Sequence, residues 1–255
     1  MVRNLDNLFI SAMQLPHFPS FPALAALSLL SVSASCSSAP DHPTLDLAGD
    51  IPRLYAAKFT HDAPTIDGNL DDRAWRDAPW TANFVAMEGS ATSRPRYQSR
   101  AKMLWNRQYL FLGVWMIDPN LESVPVSSLG YEGLLTFVTR DAELGNYLQI
   151  SLEPGNLLLD SQFVTGDVAL VTSPTPIQGK VALSGTLDTP GDADRGWWAE
   201  IAIPWANVAI PGRATIPTAG ESVRVNYYRN GWSWSPYYQH DLRDAELWGK
   251  VELKP

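Results

Sequence analysis

Beyond Asn83 the chain is a succession of short apolar runs cut by turn residues, and almost nowhere does it carry the 3.6-residue period of an amphipathic helix. Two runs, Arg100 to Trp105 (RAKMLW) and Tyr109 to Ile117 (YLFLGVWMI), flank Asn106-Arg107-Gln108, a connection of hairpin length. The second run is apolar on both faces, which predicts a central strand covered on both sides. Further strands are expected at Leu134 to Thr139, Tyr147 to Leu152, Leu157 to Phe163, Lys180 to Leu187, Gly196 to Ile203, Ser222 to Arg229 and Gly249 to Leu253. Such a series predicts an all-β domain, built as a two-sheet antiparallel β-sandwich.

The first 35 residues read as a signal peptide rather than as part of that domain. Arg3 supplies an early positive charge, and Phe21 to Ala34 is an apolar run too short to span a bilayer as a mature helix. Ser33-Ala34-Ser35 then precedes Cys36, the only cysteine in the chain. This arrangement resembles a bacterial lipoprotein processing site, which implies lipidation at Cys36. Ser33 stands where that pattern prefers Leu, so simple cleavage without a lipid stays open. Either route exports the protein, to the cell envelope or beyond it, and leaves no cysteine for a disulfide, a zinc cluster or a thiol nucleophile. Residues 36–51 are rich in Ser, Pro and Asp and read as a tether, with residues 52–255 as one domain.

A net charge of −8 argues against nucleic acid as a partner, since its phosphates would be repelled. Contact with a membrane is expected only through the anchor, and the domain is expected to be a monomer. Ten tryptophans exceed what one core of this size needs, so some of them are expected at a binding surface. Catalytic signatures are missing: there is no Gly-x-Ser-x-Gly, no His-Glu-x-x-His and no glycine-rich phosphate loop. Asp192 to Gly196 reads as a solvated turn, and His42, His61 and His240 are too scattered for a metal. No cofactor is expected.

The stretch Pro64 to Trp80, PTIDGNLDDRAWRDAPW, combines turn chemistry at Asp67-Gly68 with acidic residues at Asp71 and Asp72 that precede a short helical stretch. Trp75 and Trp80 would be its anchors. Ile66, Asp67, Gly68, Leu70, Asp71 and Trp75 resemble the opening motif of family 9 carbohydrate-binding modules, Ile-Asp-Gly-x-Leu-Asp-x-x-x-Trp. LWNRQYLFLGVWMIDPNL, GWWAEIAIPW, SVRVNYYRN and LWGKVEL, found further along, resemble later strands of the same family in order. The resemblance runs from Ala63 to Leu253. It implies a non-catalytic sugar-binding β-sandwich outside the cell, often accessory to enzymes that degrade polysaccharides.

A sugar ring offers an apolar CH face and a rim of hydroxyls, so its site needs flat aromatic rings beside charged or amide groups. The densest such stretch is YYRNGWSWSPYYQHD, with Trp232, Trp234, Tyr237 and Tyr238 as stacking candidates and Arg229, Asn230 and Asp241 as hydroxyl ligands. Tyr131, Glu132 and Gln149 complete the candidate set. The paired tryptophans that the family resemblance implies would fall on Leu129 and Leu242, and its acid on Leu135. The familiar clamp is therefore absent. Two other readings stay open: a surface lipoprotein whose decayed sugar site now serves protein contact, and a haem-binding sandwich using Met103 or Met116 with His61 or His240. Structural calcium, which relatives can hold, finds no Asp-rich loop of suitable spacing.

Overall fold

The computed structural model describes residues 52–255 except 89–94, 96, 124–132, 144, 165–166, 172 and 238–240. The signal peptide and the whole tether, Cys36 included, lie outside the described residues. In chain order the strands are β1 Leu54–Phe59, β2 Val85–Ala86, β3 Ser99–Trp105, β4 Tyr109–Ile117, β5 Leu134–Thr139, β6 Tyr147–Leu152 and β7 Leu158–Val164. They continue as β8 Asp167–Val171, β9 Gln178–Ser184, β10 Gly196–Pro204, β11 Ser222–Arg229, β12 Trp232–Ser233 and β13 Gly249–Lys254. One short helix, α1 Arg73–Arg76, and a 3₁₀ turn at Trp205–Val208 accompany them. The chain is all-β, as its alternation predicts.

The arrangement of those strands departs from the expected pair of separate sheets. Eleven of them follow one hydrogen-bonded path, β8-β7-β6-β5-β11-β13-β1-β3-β4-β10-β9, and β12 lies off it, pairing β11 and β2. The link is β1, which runs parallel to β13 over Leu54↔Lys250 to Lys58↔Lys254 and parallel to β3 at Lys58↔Leu104 and Phe59↔Trp105. Every other pairing is antiparallel. The curled path brings its two arms over one core: Leu134, Ile150 and Val225 from one arm meet Met103, Leu112, Ile201 and Trp197 from the other. Asn156, at the turn before β7, accepts a hydrogen bond from Val181 of β9 at 2.9 Å, tying one arm of the path to the end of the other.

β4 is central, as its apolar faces require, lying between β3 and β10. Leu110, Leu112, Val114 and Met116 point into the shared core, while Phe111 packs outward against Trp75 and Ala78 of the opening segment. That segment is clamped to the sheet by one side chain. Glu200 of β10, fully buried, accepts hydrogen bonds from the Trp75 indole at 2.7 Å and from the backbone N–H groups of Asp67 at 2.9 Å and Gly68 at 2.8 Å. Gly68 holds φ +97°, and a Cβ there would stand 2.4 Å from the Val181 carbonyl carbon. Glycine is thus required twice at this position, by its backbone angle and by its closeness to β9. The Asp72 carboxylate does not cap α1 as expected; it accepts the Thr65 N–H at 2.7 Å instead and closes the turn before the helix. Asp194, in the predicted solvated turn, holds two loops together through the N–H groups of Leu121 and Thr186.

Candidate functional site

The stretch after β11 turns inward rather than outward. Asn230 and Gly231, with φ +48° and +83°, make the tight turn from β11 into β12. The fully buried Asn226 then accepts the Ser235 N–H at 2.9 Å and donates to the Ser235 carbonyl, also at 2.9 Å. This brace folds residues 232–237 back on the strand. Trp234 consequently enters the core, only 1% exposed and edge-on to Tyr55 at 6.4 Å. Tyr237 is 7% exposed, its hydroxyl directed at the Met87 sulfur. Neither ring is open to a sugar, which corrects the expectation for both.

Arg229 is corrected as well. Its guanidinium is buried, paired with Asp118 at 2.6 Å and donating to the Ile117 carbonyl at 3.0 Å, so it serves a structural ion pair. Burial draws the Arg229 pKa down while Asp118 holds it up. Trp232 is half-buried, packed on the margin of the core beside Ala86, and Asn230 is exposed at the turn. Tyr131, Glu132, Tyr238, His240 and Leu129 lie outside the described residues. Met103 and Met116, weighed as haem ligands, are fully buried core side chains, and His61 lies edge-on to Phe59 at 5.0 Å.

What the fold does assemble is an aromatic-floored surface on the outer side of β5, β6 and β11. Alternation along these strands sends Leu135 and Phe137, Tyr147 and Gln149, and Tyr228 outward while their neighbours fill the core. Phe137 and Trp248 pack at 5.2 Å between centroids, and the Tyr147 ring stands edge-on to Trp248 at 5.6 Å. Phe137 and Trp248 are covered, whereas Tyr147 is half-exposed. Gln149 is the cross-strand partner of Phe137 and is half-exposed beside it. Leu242 takes the place expected for a clamping ring and packs onto this floor, its carbonyl accepting the Trp248 indole N–H at 2.9 Å.

The rim is charged. Arg243 donates to Asp241 through two bonds, Nε to Oδ1 at 2.9 Å and Nη2 to Oδ2 at 2.6 Å, with both side chains about half exposed. That pairing holds the Asp241 carboxyl below the usual carboxylate range. Burial pushes the Tyr147 hydroxyl up to about 12, with Arg243 pulling against and Asp241 adding to the rise. The phenol is therefore a neutral donor at any physiological pH. Sequence reasoning reached Gln149 and Asp241 but missed Tyr147 and Arg243. Tyr147 lies two residues before Gln149 on the same face, so strand alternation carried the signal.

Glu200 has the raised pKa often found in a general acid, pushed to about 7 by burial against its three hydrogen-bond donors. Its position argues otherwise. All three donors belong to the opening segment, and no part of the carboxyl reaches solvent. It is a structural clasp.

Comparison with known proteins bears on the opening motif and the fold. Residues 66–132 match the family profile described as "Carbohydrate family 9 binding domain-like". The chain is 24% identical over 172 residues to exoglucanase XynX of Acetivibrio thermocellus, an alignment covering 67% of this chain but only 14% of that enzyme's length. Two structures of a family 9 carbohydrate-binding module from Caldicellulosiruptor kristjanssonii share the fold. The one in complex with cellotriose has a TM-score of 0.55 at 15% identity, covering 79% of this chain and 94% of the module. The one in complex with glucose has a TM-score of 0.56 at 14% identity, covering 79% and 96%. The resemblance to family 9 carbohydrate-binding modules is thus shown, in sequence across the opening motif and in fold across most of the domain.

Proposed function

We propose that this chain is a non-catalytic carbohydrate-binding domain, exported and held at the cell envelope, where it serves the breakdown of polysaccharides. One observation carries the reading: a half-exposed tyrosine, an amide and a two-bonded carboxylate–guanidinium pair share the rim of a single aromatic-floored face. Fixed donors and acceptors of this kind suit a pair of neighbouring sugar hydroxyls, and the Tyr147 ring suits the CH face beside them. Since the fold relatives hold cellotriose and glucose, short β-glucans are the first ligands to try.

Arg243→Ala and Asp241→Ala should each weaken cello-oligosaccharide binding by roughly tenfold, as expected when a charge-assisted hydrogen bond is lost, with little change in melting temperature. Wild-type affinity in both variants would remove this face as the site. The protein-contact reading draws on one feature, Leu242 occupying the floor where a second ring is expected. Silence of the wild-type chain across glucans and other polysaccharides would favour it. Anchoring is tested separately: Cys36→Ser should move the protein from the membrane fraction to the soluble fraction, and an unchanged distribution would remove the lipid from the scheme.

A further inference from the structure

The outer face of β3, β4 and β10, across the core from the Tyr147 rim, is only partly roofed by the opening segment. The cross-strand row Lys102–Gly113–Glu200 lies beneath Leu70 and Trp75. The next row, Arg100–Trp115–Trp198–Ala182, lies beyond Trp75, and there the last residue of the opening segment, Trp80, meets it. Trp115 and Trp198 lie 4.0 Å apart between centroids at 30°, and Trp80 lies 6.3 Å from Trp198 at 35°, so the three rings form one contiguous cluster of tilted indoles. All three are half-buried rather than sealed in.

Two cations stand beside these rings, and neither has a carboxylate within ion-pair distance among the described residues. Arg140, Arg229 and Arg243 each face a carboxylate at 3.0 Å or less. Arg100 has no carboxylate partner among the described residues and lies over Trp80 at 4.3 Å from the ring centroid. Lys102 approaches the same ring at 4.8 Å and is held by the Trp75 carbonyl at 2.6 Å. In a chain of net charge −8, two adjacent cations beside three clustered indoles, with no carboxylate paired to them among the described residues, make a locally basic, aromatic patch.

We propose that this row is a second carbohydrate platform and that it takes an acidic glycan, a polymer of uronic acids. The exposed side of the indole cluster would meet the CH face of a pyranose ring, and the planar guanidinium of Arg100 would fork onto its carboxylate. A neutral sugar would have no use for the missing counter-anion, and a uronate supplies it. The proposal goes beyond the β-glucan reading and uses none of its residues.

The test titrates the full chain with a galacturonate oligomer and, separately, with a cello-oligosaccharide of equal length, following heat and tryptophan fluorescence. The galacturonate oligomer should bind and perturb the indole emission. Arg100→Gln should weaken it roughly tenfold or more, the loss expected for a charge-assisted pair, and Asp241→Ala should leave it unchanged. Trp198→Ala should also weaken it in protein whose circular dichroism matches the wild type. No binding of the galacturonate oligomer, wild-type affinity in Arg100→Gln, or equal affinity for the neutral oligomer at this face would each overturn the proposal. Loss of cello-oligosaccharide binding in Arg243→Ala bears only on the other face, so the two readings fail independently.

Discussion

Glu200→Gln is the sharpest probe of how the opening motif is held. The change keeps size and shape but replaces one oxygen by an NH2 group. In the native protein one oxygen receives the Trp75 indole N–H and the other receives the N–H groups of Asp67 and Gly68, all within 2.9 Å. Whichever way the amide turns, at least one of those donors must face another donor. A buried donor left without a partner costs about 1–3 kcal/mol; at pH 5 the native side chain is itself protonated, but its hydroxyl oxygen still accepts where an NH2 group cannot, so the expected loss there is about 1–2 kcal/mol. The sign of the pH dependence follows from burial, which holds the folded-state carboxyl at about 7 against an ordinary value of 4.5. A proton is then bound more tightly in the folded state, so this group's contribution is complete below about pH 4.5 and is lost as pH rises through 7. At about 1.4 kcal/mol per pH unit, the wild-type protein gives up about 3 kcal/mol across that window, and the amide variant has nothing to give up there. Urea unfolding of both proteins by tryptophan fluorescence, at half-unit intervals from pH 4.5 to 7.5, measures the gap between them. The gap should narrow as pH rises. A gap that widens, or a variant within 0.5 kcal/mol of wild type at pH 5, would refute the reasoning.

Gly68→Ala should cost about 2–4 kcal/mol, because it adds a methyl against the Val181 backbone at a left-handed φ; an unchanged denaturation midpoint would contradict this. Trp234→Ala should cost about 3–5 kcal/mol in stability, as a large ring removed from the core, and Trp232→Ala distinctly less; thermal melts of the two variants compare them directly. Arg229→Met should cost about 3–5 kcal/mol by stranding Asp118, and Asp118→Asn at the same site should recover part of that in the double variant.

Much of the fold was legible because alternation and turn residues report directly on which side of a strand is covered. The apolar β4, the Gly196 strand and the closing strand at Gly249 stand where their patterns put them. β1 escaped because LYAAKF hides a clean in–out alternation, with Tyr55 and Ala57 inward, behind two alanines that carry little strand signal. Missing it meant missing the joint that merges two expected sheets into one path. The aromatic stretch 227–241 misled for a different reason. Asn230-Gly231 between alternating aromatics is itself a hairpin signature, and a hairpin sends every second ring inward, which is where Tyr227 and Trp234 went. Nothing local could reveal the Trp80–Trp115–Trp198 row, whose members come from three separate segments and meet only through strand register.

The seam strand also sets how the domain would respond to force. Residues 54–59 enter directly from the polar stretch that precedes them and lie parallel to the final strand, so a pull toward the amino terminus runs along the ladder they share. Bonds loaded along a ladder resist together, whereas a hairpin drawn apart at its end yields one bond at a time. The joint that closes the two arms over their core is thus also the one that a pull on the amino-terminal side would load in shear.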